Sequence, residues 1–466
     1  MNTTATVNTR SVSLSLVRSM LATSTALALP AVVCAQPTVR EYPIPRAGAF
    51  PHDPAVGADG MVWYTDQANS YIGRFDPTTE QFVDYPTPTP GSGPHGITVA
   101  ADGFVWYTGQ STGRLGRVDP TTGQITEYVL PANANRPHTP IAHAGAIWFT
   151  AQTNDTYGRF DPVTLQTQVW NAPSGSRPYG IAPAPDGSLW MALFGTNRLG
   201  RIDVTNGALT LFALPDAAAR PRRLVVANDG LVYYSDFARG FLGRLDPATG
   251  QVREWRSPGT NPQPYGIWTG TDSRIWFDTS QANLMVAFDP RSEQMQSVAI
   301  PTSGNIVRNM TWDFARGRLW LALSGTGRIG RIQLEVPATV FGSACSGSLG
   351  IAHLAVGGAP RFGETLVLGV RNTAAPVAVL FAGQSDASWN NVPLPLSLGF
   401  IGAPACSMHA AWDLPVYSGA PGEVSLSVPR TLELGGSRLF FQWALAGEAG
   451  HVLTTTEAAR IVIVGI

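Results

Sequence analysis

Seven residues that could do chemistry occupy equivalent positions in the chain. Each directly follows a repeated proline, or its degenerate counterpart in the last case: His52, His95, His138, Tyr179, Arg222, Tyr265 and Arg308. Histidine titrates near neutral pH and serves as a base or a metal ligand, and arginine suits carboxylate or phosphate recognition. The set is either one polar, partly cationic site or a turn that recurs because it packs well. Three histidines in succession favour a site.

The spacing of two other features shows which elements must position these residues. A Gly-Arg-x-Asp motif places arginines at 74, 117, 159, 201, 244 and 331, with Ala287 in a degenerate copy, at intervals of 42 to 44 residues. An aromatic residue lies eleven positions before each: Trp63, Trp106, Trp148, Trp190, Tyr233, Trp276 and Trp320. The two features mark the same seven units, and we interpret the recurring arginines as structural.

Each unit has the pattern of four short antiparallel strands. GITVAADGFVWYTGQ predicts two strands around an Asp-Gly turn, RLGRVDP a third, and QITEYVLP a fourth that ends at a proline. Four strands per roughly 40 to 45 residues are typical of one β-propeller blade. We therefore predict an all-β fold with a seven-bladed propeller over residues 38–333, within a domain of residues 36–336. The loops entering the inner strands would gather the seven residues at one mouth of the central channel.

The two ends of the repeat region predict how the ring closes. Residues 38–45, TVREYPIP, match the fourth-strand pattern, although they precede the first complete unit. Nothing of that form follows Arg331. We expect the N-terminal segment to supply the outer strand of the last blade, which would cover an otherwise unpaired edge.

The repeat resembles that of the streptogramin lyase family, also called virginiamycin B lyases. The resemblance rests on PHGI (94–97), DGFVWYT (102–108), LGR (115–117) and TGQITEYVLP (122–131), and covers roughly residues 38–333. It implies an elimination that opens a cyclic depsipeptide without water, with a histidine base and a magnesium ion held by glutamates. His95 and His138 match the family's histidine positions, and His52 is a third candidate.

The carboxylates of the family pattern have no counterpart at the matching positions. Phe50, Gly93 and Arg136 precede the Pro-His pairs, and three glutamines lie four residues after the blade tryptophans: Gln67, Gln110 and Gln152. Mg²⁺ prefers anionic oxygen, so magnesium is possible by resemblance while its expected ligands are missing. Asp66, Asp236 and Asp278 could supply carboxylates from shifted positions, but we expect each to be a turn or cap residue.

Beyond Pro337 the period ends. Residues 341–466 contain alternating strand patterns separated by turns and predict a small β-sandwich. Its two cysteines, Cys345 and Cys406, predict a disulfide in an oxidising compartment, with two buried free thiols as the alternative.

The N-terminus has the pattern of an export signal. Arg10 and Arg18 precede the apolar stretch MLATSTALALPAVVCA, which predicts cleavage after Ala35, removal of residues 1–35, and a secreted or periplasmic protein. A lipoprotein anchor at Cys34 is the alternative. No other segment is apolar enough for a membrane span.

Composition excludes several classes of function. The net charge is −1, which gives no long-range attraction for nucleic acid or an anionic membrane. All 31 residues counted as Lys or Arg are arginine, which excludes a Schiff-base lysine and a P-loop lysine.

Two functions remain. One is a lyase-like propeller that binds or cleaves a small cyclic or ester-containing ligand at the channel mouth. His95 or His138 would be the base and Arg222 an anion clamp, with Tyr179, Tyr265, Arg308, Gln110 and Gln152 contributing to binding. The other is a non-catalytic extracellular ligand-binding or scaffold propeller whose partner is a cell-surface component.

Overall fold

The computed structural model describes residues 10–13, 37–227, 229–270 and 274–334, and parts of the C-terminal region: 338–347, 350–358, 365–371, 373, 375–398, 403–421, 423–427, 438–447 and 453–462. Every regular element in these ranges is a β-strand or a short 3-10 helix. The chain divides into two compact units. One contains the described residues between 37 and 270 together with residues 274–334, and the other contains the C-terminal region together with residues 10–13.

The strands of the first unit form seven four-stranded antiparallel sheets within its described residues. The first three sheets, each in strand order, are Pro51–Val56, Val62–Asp66, Tyr71–Asp76 and Gln81–Pro86; Pro94–Val99, Val105–Gly109, Arg114–Val118 and Ile125–Val129; Pro137–His143, Ala146–Ala151, Thr156–Phe160 and Thr167–Asn171. The next three are Pro178–Pro183, Leu189–Leu193, Arg198–Ile202 and Leu209–Ala213; Pro221–Val226, Val232–Asp236, Phe241–Leu245 and Val252–Arg256; Ile267–Thr269, Ile275–Thr279, Leu284–Asp289 and Gln294–Ala299.

The seventh sheet joins both ends of the unit. It contains Val307–Asp313, Arg318–Leu323 and Arg328–Gln333, and its fourth strand is Val39–Pro43, which pairs antiparallel with Arg328–Gln333. This is the pairing predicted for the N-terminal segment. The first strand of each sheet contacts the first strand of the next, and the first strand of the seventh sheet contacts that of the first. Four 3-10 helices connect strands: Ala132–Ala134, Gln152–Asn154, Phe314–Arg316 and Ser324–Thr326.

The recurring aromatics form the core between sheets. All seven are at most 2% exposed: Trp63, Trp106, Trp148, Trp190, Tyr233, Trp276 and Trp320. The glycine of the Gly-Arg motif is required by close packing in several sheets, because a Cβ on Gly116 would lie 2.1 Å from the ring of Tyr107. Four of the motif arginines pack on aromatic faces: Arg74, Arg117, Arg244 and Arg331. Arg117 Cζ, for example, lies 3.4 Å from the Phe104 centroid, which agrees with a structural role.

The described residues of the C-terminal unit form two main sheets. One contains His353–Gly358, Thr365–Arg371, Glu423–Ser427 and Arg10–Ser13; the other contains Ala338–Phe341, Leu453–Val462, Arg438–Ala446, Val377–Gly383 and Leu414–Gly419. Three two-stranded pairs accompany them: Ser346–Gly347 with Gly350–Ile351, Ser388–Trp389 with Val392–Pro393, and Leu396–Leu398 with Ala403–Met408. One apolar cluster includes Leu368 from the first main sheet and Leu380 and Trp443 from the second.

The predicted disulfide is present in this unit, between Cys345 and Cys406. The strand Arg10–Ser13 pairs parallel with residues 424–427. The rest of the predicted export signal lies outside the described residues. No helix in the described ranges is long and apolar enough to cross a membrane.

Candidate functional site

A β-bulge at the start of the first strand positions most of the rim residues, the name used here for the seven residues that follow the repeated proline. In the second sheet, Pro94 pairs with Gly109 and Ile97 with Tyr107, so His95 and Gly96 together face only Thr108. The same shift recurs in all the other sheets except the sixth. A two-against-one bulge bends the strand and redirects its side chains. The Pro-His-Gly pattern is therefore a bulge sequence.

The hydroxyl opposite the bulge links neighbouring sheets. Thr108 Oγ1 accepts the Gly96 N–H at 2.9 Å and donates to the carbonyl oxygen of His138, in the next sheet, at 2.7 Å. Thr65, Thr150 and Ser235 make the equivalent pairs of hydrogen bonds. These bonds hold consecutive rim residues at a fixed separation.

The three histidines form a continuous row that ends on a tyrosine. The ring centroids of His52 and His95 are 3.8 Å apart, those of His95 and His138 are also 3.8 Å apart, and those of His138 and Tyr179 are 3.9 Å apart. Each of the four side chains is at most 4% exposed. The structure thus brings the predicted histidines together, and it buries them below the surface.

An ion pair that the sequence analysis missed lies at one end of this row. Arg223 Nη2 donates to Asp53 Oδ1 at 2.8 Å and to Asp53 Oδ2 at 3.0 Å, and His52 Nδ1 lies 2.9 Å from Asp53 Oδ1. Asp53 and Arg223 occupy the second bulge position, where other sheets have Gly96, Thr139 or Gly180. Charged residues at a position that is otherwise uncharged were the available signal.

Burial sets the protonation of the row. It lowers the pKa of His95 well below its usual value, and the nearby His138, His52, Arg223 and Arg308 lower it further. Burial likewise lowers the pKa of His138 well below its usual value, with Arg223 contributing. These two imidazoles are therefore neutral at pH 7.

The His52 end of the row differs from the rest, because a carboxylate, Asp53, lies next to it. Burial lowers the pKa of His52, and its contact with Asp53 partly offsets this effect. Burial alone would raise the pKa of Asp53, but the charge of Arg223 and the contact with His52 outweigh it, and the pKa lies below its usual value. Asp53 is consequently a buried carboxylate anion paired with a buried guanidinium.

Arg222 lies among four aromatic rings on the other side of the rim. Its Cζ is 4.0 Å from the Phe237 centroid, 4.5 Å from those of Phe194 and Tyr265, and 5.0 Å from that of Tyr179. No described residue accepts a hydrogen bond from Arg222 Nε. The ring faces stabilise the cation and leave this N–H donor without a protein acceptor.

Tyr265 and Arg308 are the remaining rim residues, and both lie near these aromatic rings. The hydroxyl groups of Tyr179 and Tyr265 are hydrogen-bonded to each other. Burial and the adjacent Tyr265 raise the pKa of Tyr179 well above its usual value. Arg308 Cζ lies 5.6 Å from the Tyr265 centroid and 5.7 Å from that of Phe50.

The predicted glutamines lie at the edge of the histidine side. Gln67 Nε2 donates to Gln110 Oε1 at 3.4 Å, and the Gln110 backbone N–H donates to the Gly93 carbonyl, two residues before His95, at 3.3 Å. Gln152 begins a 3-10 helix after the second strand of the third sheet. All three are partly exposed. In the next two sheets, the same repeat position holds Phe194 and Phe237.

The aspartates considered as alternative metal ligands bind the backbone. Asp66 Oδ1 accepts the Phe50 N–H at 3.1 Å, and Asp236 Oδ1 accepts that of Arg220 at 3.0 Å. Asp278 Oδ1 accepts the N–H groups of Tyr265 and Gly266, and burial raises its pKa to about 7. These contacts agree with the turn and cap roles expected of them.

A magnesium site of the kind implied by the family resemblance does not fit these residues. The matching positions hold glutamines, Phe50, Gly93 and Arg136, and among the bulge residues only Asp53 is a carboxylate. Asp53 already neutralises Arg223. Mg²⁺ requires near-octahedral oxygen coordination, which a row of imidazoles does not supply.

The ring of contacts between first strands, the repeated bulges and the central row of side chains define an all-β, propeller-like class of protein. Within this class, the chain belongs to the virginiamycin B lyase family, whose sequence profile matches residues 31–169 and 164–358.

Solved structures show the same relationship. The crystal structure of selenomethionine-substituted virginiamycin B lyase from Staphylococcus aureus is 25% identical, with a TM-score of 0.60, covering 64% of this chain and 100% of that one. A streptogramin B lyase structure is 26% identical, also with a TM-score of 0.60, covering 64% of this chain and 98% of that one. The WD40 β-propeller domain of Doa1, 10% identical with a TM-score of 0.53 over 64% and 98% of the two chains, shares the fold alone. No curated protein matches the chain.

Proposed function

We propose that residues 36–336 form a closed seven-bladed propeller that binds a small cyclic or ester-containing ligand at the rim and opens it by elimination. The observation that carries the proposal is the row of three imidazoles at centroid separations of 3.8 Å, beside the aromatic side that holds Arg222. A neutral imidazole is required of a general base. The similarity to a streptogramin B lyase supports a cyclic depsipeptide as the ligand class.

His138 is our candidate for the base. Its Nδ1 lies 2.9 Å from Thr139 Oγ1, and in the tautomer in which Nδ1 donates, Nε2 is free to accept a proton. The proton would leave the carbon next to a ligand carbonyl, and its electron pair would form the new C=C bond. The adjacent C–O bond of the ester would then break, with the oxygen leaving as a carboxylate.

Arg222 is our candidate for the group that receives this carboxylate. Its cation is held by ring faces, and Nε has no acceptor among the described residues. A guanidinium N–H group that has no acceptor within the protein is suited to an incoming anion. Tyr179 and Tyr265, which flank it, would provide apolar contact for the ligand.

Incubation of the purified protein with a streptogramin B, followed by mass spectrometry, tests this function. Elimination gives a linear product with the mass of the cyclic substrate and a new chromatographic retention, whereas hydrolysis adds the mass of water. His138→Gln should abolish turnover with an unchanged melting temperature, and His143→Gln, outside the rim, should leave turnover intact. A wild type that neither binds nor converts the compound would refute the proposal.

A non-catalytic role is the second candidate, because specific residues favour it. Gln67, Gln110 and Gln152 occupy positions where the family resemblance implies a glutamate, and the histidines are nearly inaccessible. Calorimetry would identify a ligand-binding propeller if the wild type binds a streptogramin B and forms no product. His138→Gln should then bind the compound with the same affinity as the wild type.

We also propose export, with cleavage after Ala35 and a C-terminal β-sandwich in the mature protein. The disulfide supports an oxidising compartment. Cleavage would remove the strand Arg10–Ser13 from its sheet. N-terminal sequencing of protein from an exporting host should begin at Gln36, and a mass increase from lipid on Cys34 would support an anchored form instead.

A further inference from the structure

We propose that His52, Asp53 and His95 form a binding site for a divalent transition-metal ion such as Zn²⁺. One potential ligand atom from each residue lies within 4.8 Å of the others, and all three side chains are at most 3% exposed. The inference goes beyond the proposed elimination, because it concerns residues other than His138 and Arg222 and holds whether or not the protein is an enzyme.

The donor set determines the class of metal. Two imidazoles and one carboxylate are ligands for borderline metals such as Zn²⁺ and Co²⁺, whereas Mg²⁺ prefers oxygen alone. Three protein ligands also leave coordination positions for a small ligand or water, as in catalytic zinc sites. The chain thus lacks the carboxylates of a magnesium site at the matching positions and has the ligands of a different metal in His52, Asp53 and His95.

An unsatisfied polar atom provides independent support. His95 Nδ1 is buried and has no hydrogen-bond partner among the described residues, whereas Nδ1 of His52 and Nδ1 of His138 each have one. A buried polar nitrogen without a partner is destabilising and calls for an explanation. A metal ion bound by the His95 imidazole would give this ring a polar partner inside the rim.

Arg223 is the residue that opposes the ion. Its guanidinium contacts both carboxylate oxygens of Asp53, so a metal ion must share this carboxylate with an existing cation. Coulomb repulsion between two cations in a buried site weakens binding of the second. Removing the arginine charge should therefore strengthen metal binding, whereas removing any of the three ligands should weaken it.

Cobalt titration of the untagged, EDTA-stripped and dialysed full chain tests the site. Visible d–d absorption should saturate at one Co²⁺ per chain, excess Zn²⁺ should abolish it, and excess Mg²⁺ should leave it unchanged. His52→Gln, Asp53→Asn and His95→Gln should each raise the Kd roughly tenfold or more. Arg223→Met should lower the Kd several-fold.

His138→Gln is the matched control, since it removes an equally buried imidazole of the same row and should leave the Kd for Co²⁺ unchanged. This variant also separates the two proposals, because it should lose turnover and keep the metal. Undiminished Co²⁺ affinity in His95→Gln, or equal weakening in His138→Gln, would overturn the site.

A measurement on the wild type covers the case in which a ligand variant does not fold. Proton NMR of the Co²⁺-loaded chain should show hyperfine-shifted, exchangeable imidazole N–H signals from two histidines. Their absence at saturating Co²⁺ would overturn the proposal.

Discussion

Arg223 and Asp53 lie 170 residues apart in the sequence and form a buried ion pair that joins the bulge of the fifth sheet to the bulge of the first. The guanidinium is 5% exposed and the carboxylate 1%. Charges so far from solvent are stable only when paired, because desolvation of either ion alone costs several kcal/mol. The pair is therefore a direct link between opposite parts of the sheet ring.

Breaking this pair should destabilise the first unit. We expect Asp53→Asn or Arg223→Met alone to lower the free energy of unfolding by about 3–5 kcal/mol, because each leaves one buried charge unpaired. The double variant should lose much less than the sum. Urea unfolding followed by circular dichroism should be measured for the wild type, the two single variants and the double variant, which together form a double-mutant cycle. Additive losses in the free energy of unfolding would show that the two residues are not energetically coupled.

The buried histidines should make stability depend on pH. Burial lowers the pKa of both His95 and His138 in the folded state, and the unfolded chain has the usual value near 6.5. Below about pH 6.5 the unfolded state binds more protons at these two imidazoles, so their contribution to the free energy of unfolding falls as the pH falls and is level above pH 7. The raised pKa of Asp278 acts in the opposite direction, because its stabilising effect at low pH is lost as the pH rises to about 7. Each unit by which a pKa is lowered contributes about 1.4 kcal/mol.

Urea unfolding between pH 4.5 and 8, in buffer containing EDTA, measures this dependence. His95→Gln should reduce the dependence of the free energy of unfolding on pH. The control is His143→Gln, because the His143 imidazole lies outside the rim, 2.8 Å from the carbonyl oxygen of Gly187. Identical pH profiles for the wild type and His95→Gln would contradict the prediction.

The repeat period was sufficient to predict which residues share the rim. Every sheet except the sixth begins with the same bulge, so residues one period apart, such as His52 and His95, occupy equivalent places in adjacent sheets. The N-terminal strand of the seventh sheet was predictable for the same reason, because TVREYPIP repeats a fourth-strand pattern.

Contacts across the rim were not predictable in this way. The pairing of Asp53 with Arg223 depends on how sheets four units apart face each other, and no local spacing contains that information. The cluster of rings around Arg222 likewise requires Phe194 and Phe237, which lie in the repeat position where the first three sheets have glutamine.

The hydroxyl opposite each bulge should contribute to stability. Thr108→Val keeps the shape of the side chain but leaves the buried Gly96 N–H and His138 carbonyl without their partner. A loss of about 1–3 kcal/mol in the free energy of unfolding is expected. Thr126→Val, on an exposed outer strand, is the control, and an equal effect of the two substitutions would contradict a linking role for Thr108.

Removal of the disulfide should destabilise the C-terminal unit. Cys345 and Cys406 are 61 residues apart, and a disulfide closing a loop of this length typically contributes about 2–4 kcal/mol. In calorimetry, Cys345→Ser with Cys406→Ser should lower one unfolding transition and leave that of residues 37–334 in place. A shift of both transitions by the same amount would show that the two units unfold together.

Closure of the seventh sheet by the N-terminal strand should be essential for the stability of the first unit. Tyr42 is 4% exposed, and its ring centroid lies 4.7 Å from that of Phe75 and 6.0 Å from that of Trp320. Tyr42→Ala should therefore lower the free energy of unfolding by about 3–5 kcal/mol, as expected for a buried aromatic.

Deletion of residues 37–45 should lower the melting temperature further and promote aggregation, since it exposes the edge of Arg328–Gln333. Val129→Ala, at an outer-strand side chain that is 69% exposed, should change little, and wild-type melting of the deletion variant would contradict this closure.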